Sequence, residues 1–105
     1  MSQINKIAVI GAGNMGSGIA QKLAQEGLNV ILVDMKEAFV ERGIDTIRQT
    51  LKEAVERKIL NADQVHDILS HIIGTCDYEM VADADLVIET VFEDKQVKFE
   101  LFEKL

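Results

Sequence analysis

Residues 7–34 read IAVIGAGNMGSGIAQKLAQEGLNVILVD. The apolar run Ile7 to Ile10 ends in Gly11-Ala12-Gly13-Asn14-Met15-Gly16. A stretch with helical spacing follows, and a second apolar run, Val30 to Val33, ends in Asp34. Strand, glycine turn, helix, strand and acid in that order make the fingerprint of a dinucleotide-binding βαβ unit. A GxGxxG match by itself is weak evidence. This one follows a strand, opens a helix and has an acid at a strand end 18 residues after Gly16, which is the context the motif requires.

Each motif residue has a physical task in such a unit. Gly11 permits the tight turn out of the first strand, Gly13 lets the backbone approach a pyrophosphate, and Gly16 lets the helix pack close to the strand. The turn from Gly11 through Ala12, Gly13, Asn14 and Met15 to Gly16 then presents free N–H groups and the positive end of a helix dipole to phosphate. Asp34 is placed to accept hydrogen bonds from the adenosine ribose hydroxyls, and its charge repels a 2′-phosphate. NAD is therefore expected over NADP, with Lys36 near enough to soften the preference. The plainer alternatives are a glycine turn used only for packing and an Asp34 that caps the helix after it.

The pattern continues as short apolar runs alternating with amphipathic stretches, which indicates an α/β domain with a parallel sheet. Strands are expected over 6–10, 29–33, 72–75 and 85–89. Helices are expected over 14–26, with Gly27 as a left-handed cap, over 36–58, and after Asn61, where Asn61 and Gln64 have capping-box spacing. Asp77 reads as the cap of a short helical turn over 78–81. A last helix is expected to start near Asp94, with Val97, Leu101 and Leu105 on one side. Four strands suffice for the order 3-2-1-4 of a Rossmann-type doubly wound sheet. The sequence ends inside the expected last helix, as the front part of a longer protein would.

The 105 residues make one domain at most. The net charge of −7, from 18 acids against 11 bases, argues against nucleic acid or an anionic membrane surface as a partner. No apolar run approaches the ~18 residues of a membrane span, and no leader precedes the first strand, so a cytoplasmic protein is expected. Nothing has the spacing of a metal site. Cys76 follows Ile72-Ile73 and is expected to be a small core residue.

The segment ADADLVIETVFEDKQVKFELFEKL (82–105), with GAGNMGSGIA (11–20) and VDMKEAFVERG (33–43), closely resembles the N-terminal NAD-binding domain of L-3-hydroxyacyl-CoA dehydrogenases, a family that includes 3-hydroxybutyryl-CoA dehydrogenases. The glycine motif is shared with many dehydrogenases, and the pattern DLVIE-x-VFED-x-x-VK-x-ELF carries the resemblance. It implies oxidation of the 3-hydroxyl of an (S)-3-hydroxyacyl-CoA to a ketone, with hydride passed to NAD. Gly11 to Gly16 and Asp34 would bind the ADP half. Thr90 matches a position, usually Ala in the family, where the backbone runs beside the cofactor. Glu93 and Lys98 match an acid and a lysine that reach the nicotinamide-side ribose and the substrate entrance. Thr50 and Arg57 fall at positions near the CoA nucleotide.

The family's catalytic histidine, and the glutamate, serine and asparagine around it, match no position here. His66 and His71 belong in or near the third helix, so no catalytic residue is assigned within 1–105. The helical second domain, the family's usual dimer interface, has no counterpart either. Two other functions compete: a free-standing NAD(H)-binding or redox-sensing module, and another β-hydroxyacid dehydrogenase. The bare apolar edge expected on the fourth strand predicts self-association, as a homodimer for instance.

Overall fold

Ile7, Ala8 and Val9 are all buried, as befits a strand covered on both faces. They belong to β1 (Lys6–Ile10), the centre of a five-stranded sheet in a computed structural model that describes residues 4–91 and 96–101. The chain continues through α1 (Asn14–Gln25), β2 (Asn29–Val33), α2 (Glu37–Glu56), α3 (Ala62–Ser70), β3 (Ile72–Thr75), a 3-10 helix (Tyr78–Asp83), β4 (Leu86–Val91) and β5 (Gln96–Leu101). The strand order is β3-β2-β1-β4-β5. The first four are parallel in the expected 3-2-1-4 order, with Ile7 opposite both Val30 and Leu86.

Alternation along the strands builds two apolar layers. Ile7, Val9, Val30, Leu32 and Ile88 face Ala20 and Ala24 of α1, Ile47 and Leu51 of α2 and Ile68 of α3. Ala8, Ile31, Val33 and Val87 form the opposite layer with Ala84, and the 3-10 helix lays Met80 and Val81 against it. The helix caps follow the sequence. Asn61 Oδ1 accepts from Gln64 N at 2.8 Å while Gln64 Oε1 accepts from Asn61 N at 2.9 Å, a full capping box. Gly27, at φ +87, terminates α1, and Asp77 caps the 3-10 helix by accepting from Glu79 N.

Expectations for the last element, the β4 edge and Cys76 are corrected, and one alternative for Asp34 is set aside. Residues 96–101 form a strand, not a helix, and β5 runs antiparallel to β4, with Leu86 opposite Leu101 and Glu89 opposite Lys98. Val97 and Leu101 fit a helical face, but Gln-Val-Lys-Phe-Glu-Leu also alternates with period two, and pairing onto an apolar strand edge decides between the two patterns. The edge of β4 is consequently covered, which removes the ground on which self-association was expected. The sheet's outer strands are β3 and β5.

Cys76 is exposed, not a core residue. It lies just past the end of β3, where Asp77 N donates to Thr75 Oγ1 at 3.0 Å and turns the chain away from the sheet. Asp34, finally, does not cap α2: the capping position is Lys36, which has no side-chain cap bond.

Candidate functional site

The glycine turn leaves the C-terminal end of β1, between the ends of β2 and β4. This is the crevice where open α/β sheets bind ligands. Gly11 has φ +104, a left-handed conformation that disfavours any side chain. A Cβ placed there would also fall on Thr90 Oγ1, and one on Gly16 would fall on the Gly11 carbonyl. Over Gly13 there is open space.

Neighbouring elements hold the turn's own polar groups. Gly11 N donates to Val33 O at 2.7 Å, Ala12 N to Asp34 Oδ2 at 2.9 Å, and Thr90 Oγ1 to Ile10 O at 3.0 Å. Ser17 Oγ, 1% exposed, donates to Ala12 O at 3.1 Å. The α1 N-terminus is treated differently. Its capping residue is Gly13, no side chain caps it, and its first turn carries no acid. The first intrahelical donor is Ser17, bonded to Gly13 O at 2.8 Å. The amides of Asn14, Met15 and Gly16 therefore point off the helix end without an intrahelical acceptor, an arrangement that suits an anion.

Asp34 stands at the end of β2 beside this turn. Oδ1 accepts from Met35 N at 2.7 Å and Oδ2 from Ala12 N, which orients the carboxylate and leaves each oxygen a further lone pair. Lys36 is stationed elsewhere, its ammonium 5.5 Å from the centroid of Phe39. Tyr78 lies on the β3 side. Partial burial raises its hydroxyl pKa above the ordinary 10.0, and the charges of Asp34 and then Cys76 add to the rise.

The structure thus brings together Gly11, Ala12, Gly13, Asn14, Met15, Gly16, Asp34 and Thr90. Thr50 and Arg57 do not join them. Thr50 is exposed on α2 with Oγ1 bonded to Thr46 O at 3.0 Å, and Arg57 ends that helix, about 30 Å along it from Glu37 at 1.5 Å per residue. Lys98 lies on β5, opposite Glu89. Glu93 lies outside the described residues. His71 precedes β3 at the opposite end of the sheet, and His66 is exposed on α3.

Sequence reasoning missed two residues. Ser17 has no role in the sequence analysis, although a short hydroxyl one turn inside a glycine-rich helix start is placed to reach back to the preceding loop. Gly43 sits in the middle of α2, where a side chain would lie 2.7 Å from Ala12 O and 2.9 Å from Ser17 Oγ. A glycine inside an otherwise amphipathic helix costs about 1 kcal/mol against alanine, and that cost was the available signal of a close approach.

The family model for the NAD-binding domain of 3-hydroxyacyl-CoA dehydrogenase matches residues 6–105. The chain belongs to that family. It is 42% identical over 100 residues to the probable 3-hydroxybutyryl-CoA dehydrogenase of Deinococcus radiodurans, a match covering 95% of this chain and 36% of that protein. It is 38% identical over 103 residues to the glyoxysomal fatty acid beta-oxidation multifunctional protein of Brassica napus, covering 98% of this chain and 14% of the other. The crystal structure of (S)-3-hydroxybutyryl-CoA dehydrogenase from Ralstonia eutropha superposes with a TM-score of 0.81 at 36% identity, over 83% of this chain and 31% of that one. The chain therefore spans about a third, or less, of the relatives it matches. This NAD-binding domain of the 3-hydroxyacyl-CoA dehydrogenase family has uncapped helix amides, which can donate to an anion, beside an oriented carboxylate, which can accept further hydrogen bonds.

Proposed function

We propose that this domain holds NAD for an enzyme that oxidises (S)-3-hydroxyacyl-CoA to 3-oxoacyl-CoA. The observation that carries the proposal is the contrast within one turn. The backbone groups of residues 10–12 are tied to β2, β4 and α1, whereas the amides that open α1 have no side-chain cap. Such a turn binds the diphosphate without reorganising, and preorganisation of this kind raises affinity. Asp34 accepts from the adenosine ribose and disfavours a 2′-phosphate at the same place.

Bound NAD supplies the hydride acceptor for C3 of the substrate. The residues of this chain bind and orient. Gly11 to Gly16 position the diphosphate, Thr90 lines the cofactor's path, and Glu93 and Lys98 serve the nicotinamide-side ribose and the substrate entrance. Thr50 and Arg57 contact the CoA nucleotide, Arg57 through a guanidinium suited to phosphate. The hydroxyl proton needs an acceptor within about 2.6–3.2 Å, or through one water. Both histidines lie away from the cofactor edge, so the proton acceptor is assigned to another part of the enzyme. That same placement favours a second reading, an NAD(H)-binding module without catalysis of its own. A cytoplasmic location and a homodimeric enzyme complete the proposal, with the glyoxysomal and peroxisomal names of plant relatives as the alternative location.

Calorimetric titration tests the cofactor assignment. NADH should bind saturably, NADPH more weakly, and Asp34→Ala should weaken NADH by about 10- to 150-fold while narrowing the gap to NADPH, since a hydrogen bond to a charged group is worth about 1.5–3 kcal/mol. Absence of NADH binding to folded protein would refute the assignment. Residues 1–105 alone should not turn over acetoacetyl-CoA with NADH, and turnover by an enzyme that contains them separates the enzyme from the binding module.

A further inference from the structure

Three consecutive peptide planes lead from β1 into the helix, and each is held by a different element. The Ile10–Gly11 peptide is gripped at both ends: its carbonyl accepts from Thr90 Oγ1 at 3.0 Å and its N–H donates to Val33 O at 2.7 Å. The Gly11–Ala12 peptide is held through its N–H by Asp34, and the Ala12–Gly13 peptide through its carbonyl by Ser17. Peptide planarity makes the direction of each N–H follow from the carbonyl behind it. Within each plane one anchor therefore fixes both groups, and because φ and ψ leave successive planes free to turn, each needs an anchor of its own.

Thr90 is the member of this set that comes from β4, and its hydroxyl does more than bridge two strands. It occupies the volume a Cβ on Gly11 would take, and it lies 3.5 Å from where a Cβ on Gly16 would sit. One hydroxyl thus packs against both outer glycines of the motif while bonding the carbonyl between β1 and the turn. Beyond the cofactor-lining backbone already assigned to this position, we propose that the Thr90 side chain is a positioning group for the diphosphate-binding turn. Its hydroxyl fixes the Ile10–Gly11 peptide and, packed beside Gly11 and Gly16, seats the start of α1 against the turn. The proposal rests on the cofactor assignment above.

The test compares wild type with Thr90→Val, which keeps the shape and removes the donor, Thr90→Ala, which leaves room for water, and Thr90→Ser, which restores the donor. NADH dissociation constants are measured well below each melting temperature, so that the folded form alone is titrated. Thr90→Val and Thr90→Ala should each bind NADH about fivefold more weakly, the equivalent of one ordinary hydrogen bond, and Thr90→Ser should stay within about twofold of wild type. A group that only ties β4 to β1 would lower the melting temperature and leave NADH affinity unchanged, and that result overturns the proposal. Should Thr90→Val fail to fold, the alanine and serine variants decide by the same criterion. Wild type that binds no NADH overturns the cofactor assignment and this proposal together, whereas tight wild-type binding shared by folded Thr90→Ala overturns this one alone.

Discussion

The two oxygens of Asp34 are engaged before any ligand arrives, one by Ala12 N and one by Met35 N. Position alone marked this residue in the sequence, since an acid closing the second strand of a βαβ unit is part of the fingerprint. Its bond to the glycine turn was not legible, because residues 22 apart in the chain meet only through the register of β1 on β2. Tyr78 was likewise marked only as part of a helical turn, and the structure puts its hydroxyl within the field of Asp34. The chain has a single tyrosine, so its phenolate absorbance titrates cleanly. The midpoint should lie above 10.0, owing first to partial burial, then to Asp34 and then to Cys76. Asp34→Asn should move the midpoint down, and a midpoint at or below 10.0 in wild type would contradict the placement. Because the folded-state value is raised, this group's share of stability is intact below pH 10.0 and declines as pH climbs through the folded-state midpoint.

Elements were legible where local chemistry and pattern agreed. The α3 start was readable because Asn61 and Gln64 cap each other within one turn, a wholly local device. The identity of 96–101 was not, because its residues satisfy both periods and the deciding contact, β4, is supplied by tertiary structure. Gly43 shows the same limit on a helix: its reason is the backbone of Ala12, not anything within α2. Gly43→Ala should therefore behave against helix propensity. Alanine favours an isolated helix by about 1 kcal/mol, yet here the new methyl meets the Ala12 carbonyl and pushes α2 off the turn. We expect a lower melting temperature and weaker NADH binding together. A variant more stable than wild type with unchanged affinity would show that α2 is free to shift.

At the scale of the whole molecule, β1 is flanked by β2 and β4, and β5 closes the side that would otherwise end in an apolar strand. The four parallel strands were readable from short apolar runs alternating with amphipathic stretches, whereas the antiparallel fifth was not. Its presence changes what truncation should do. A chain ending at Val91 exposes the β4 edge, and such edges recruit other chains. Sedimentation velocity should show that shortened chain associating at concentrations where the 105-residue chain does so less. Equal sedimentation of the two would mean that β5 does not protect the edge.

The central place of β1 has a consequence for how the domain is made. Its first partner, β2, is synthesised soon after it, but Thr90 and the rest of β4 are 80 residues behind Ile10. At roughly 5–20 residues per second, the ribosome takes about 4–16 s to deliver them. Throughout that interval the nascent glycine turn has its β2 anchors within reach and lacks its β4 clamp, so the most preorganised part of the finished domain is also among the last to be completed on the ribosome.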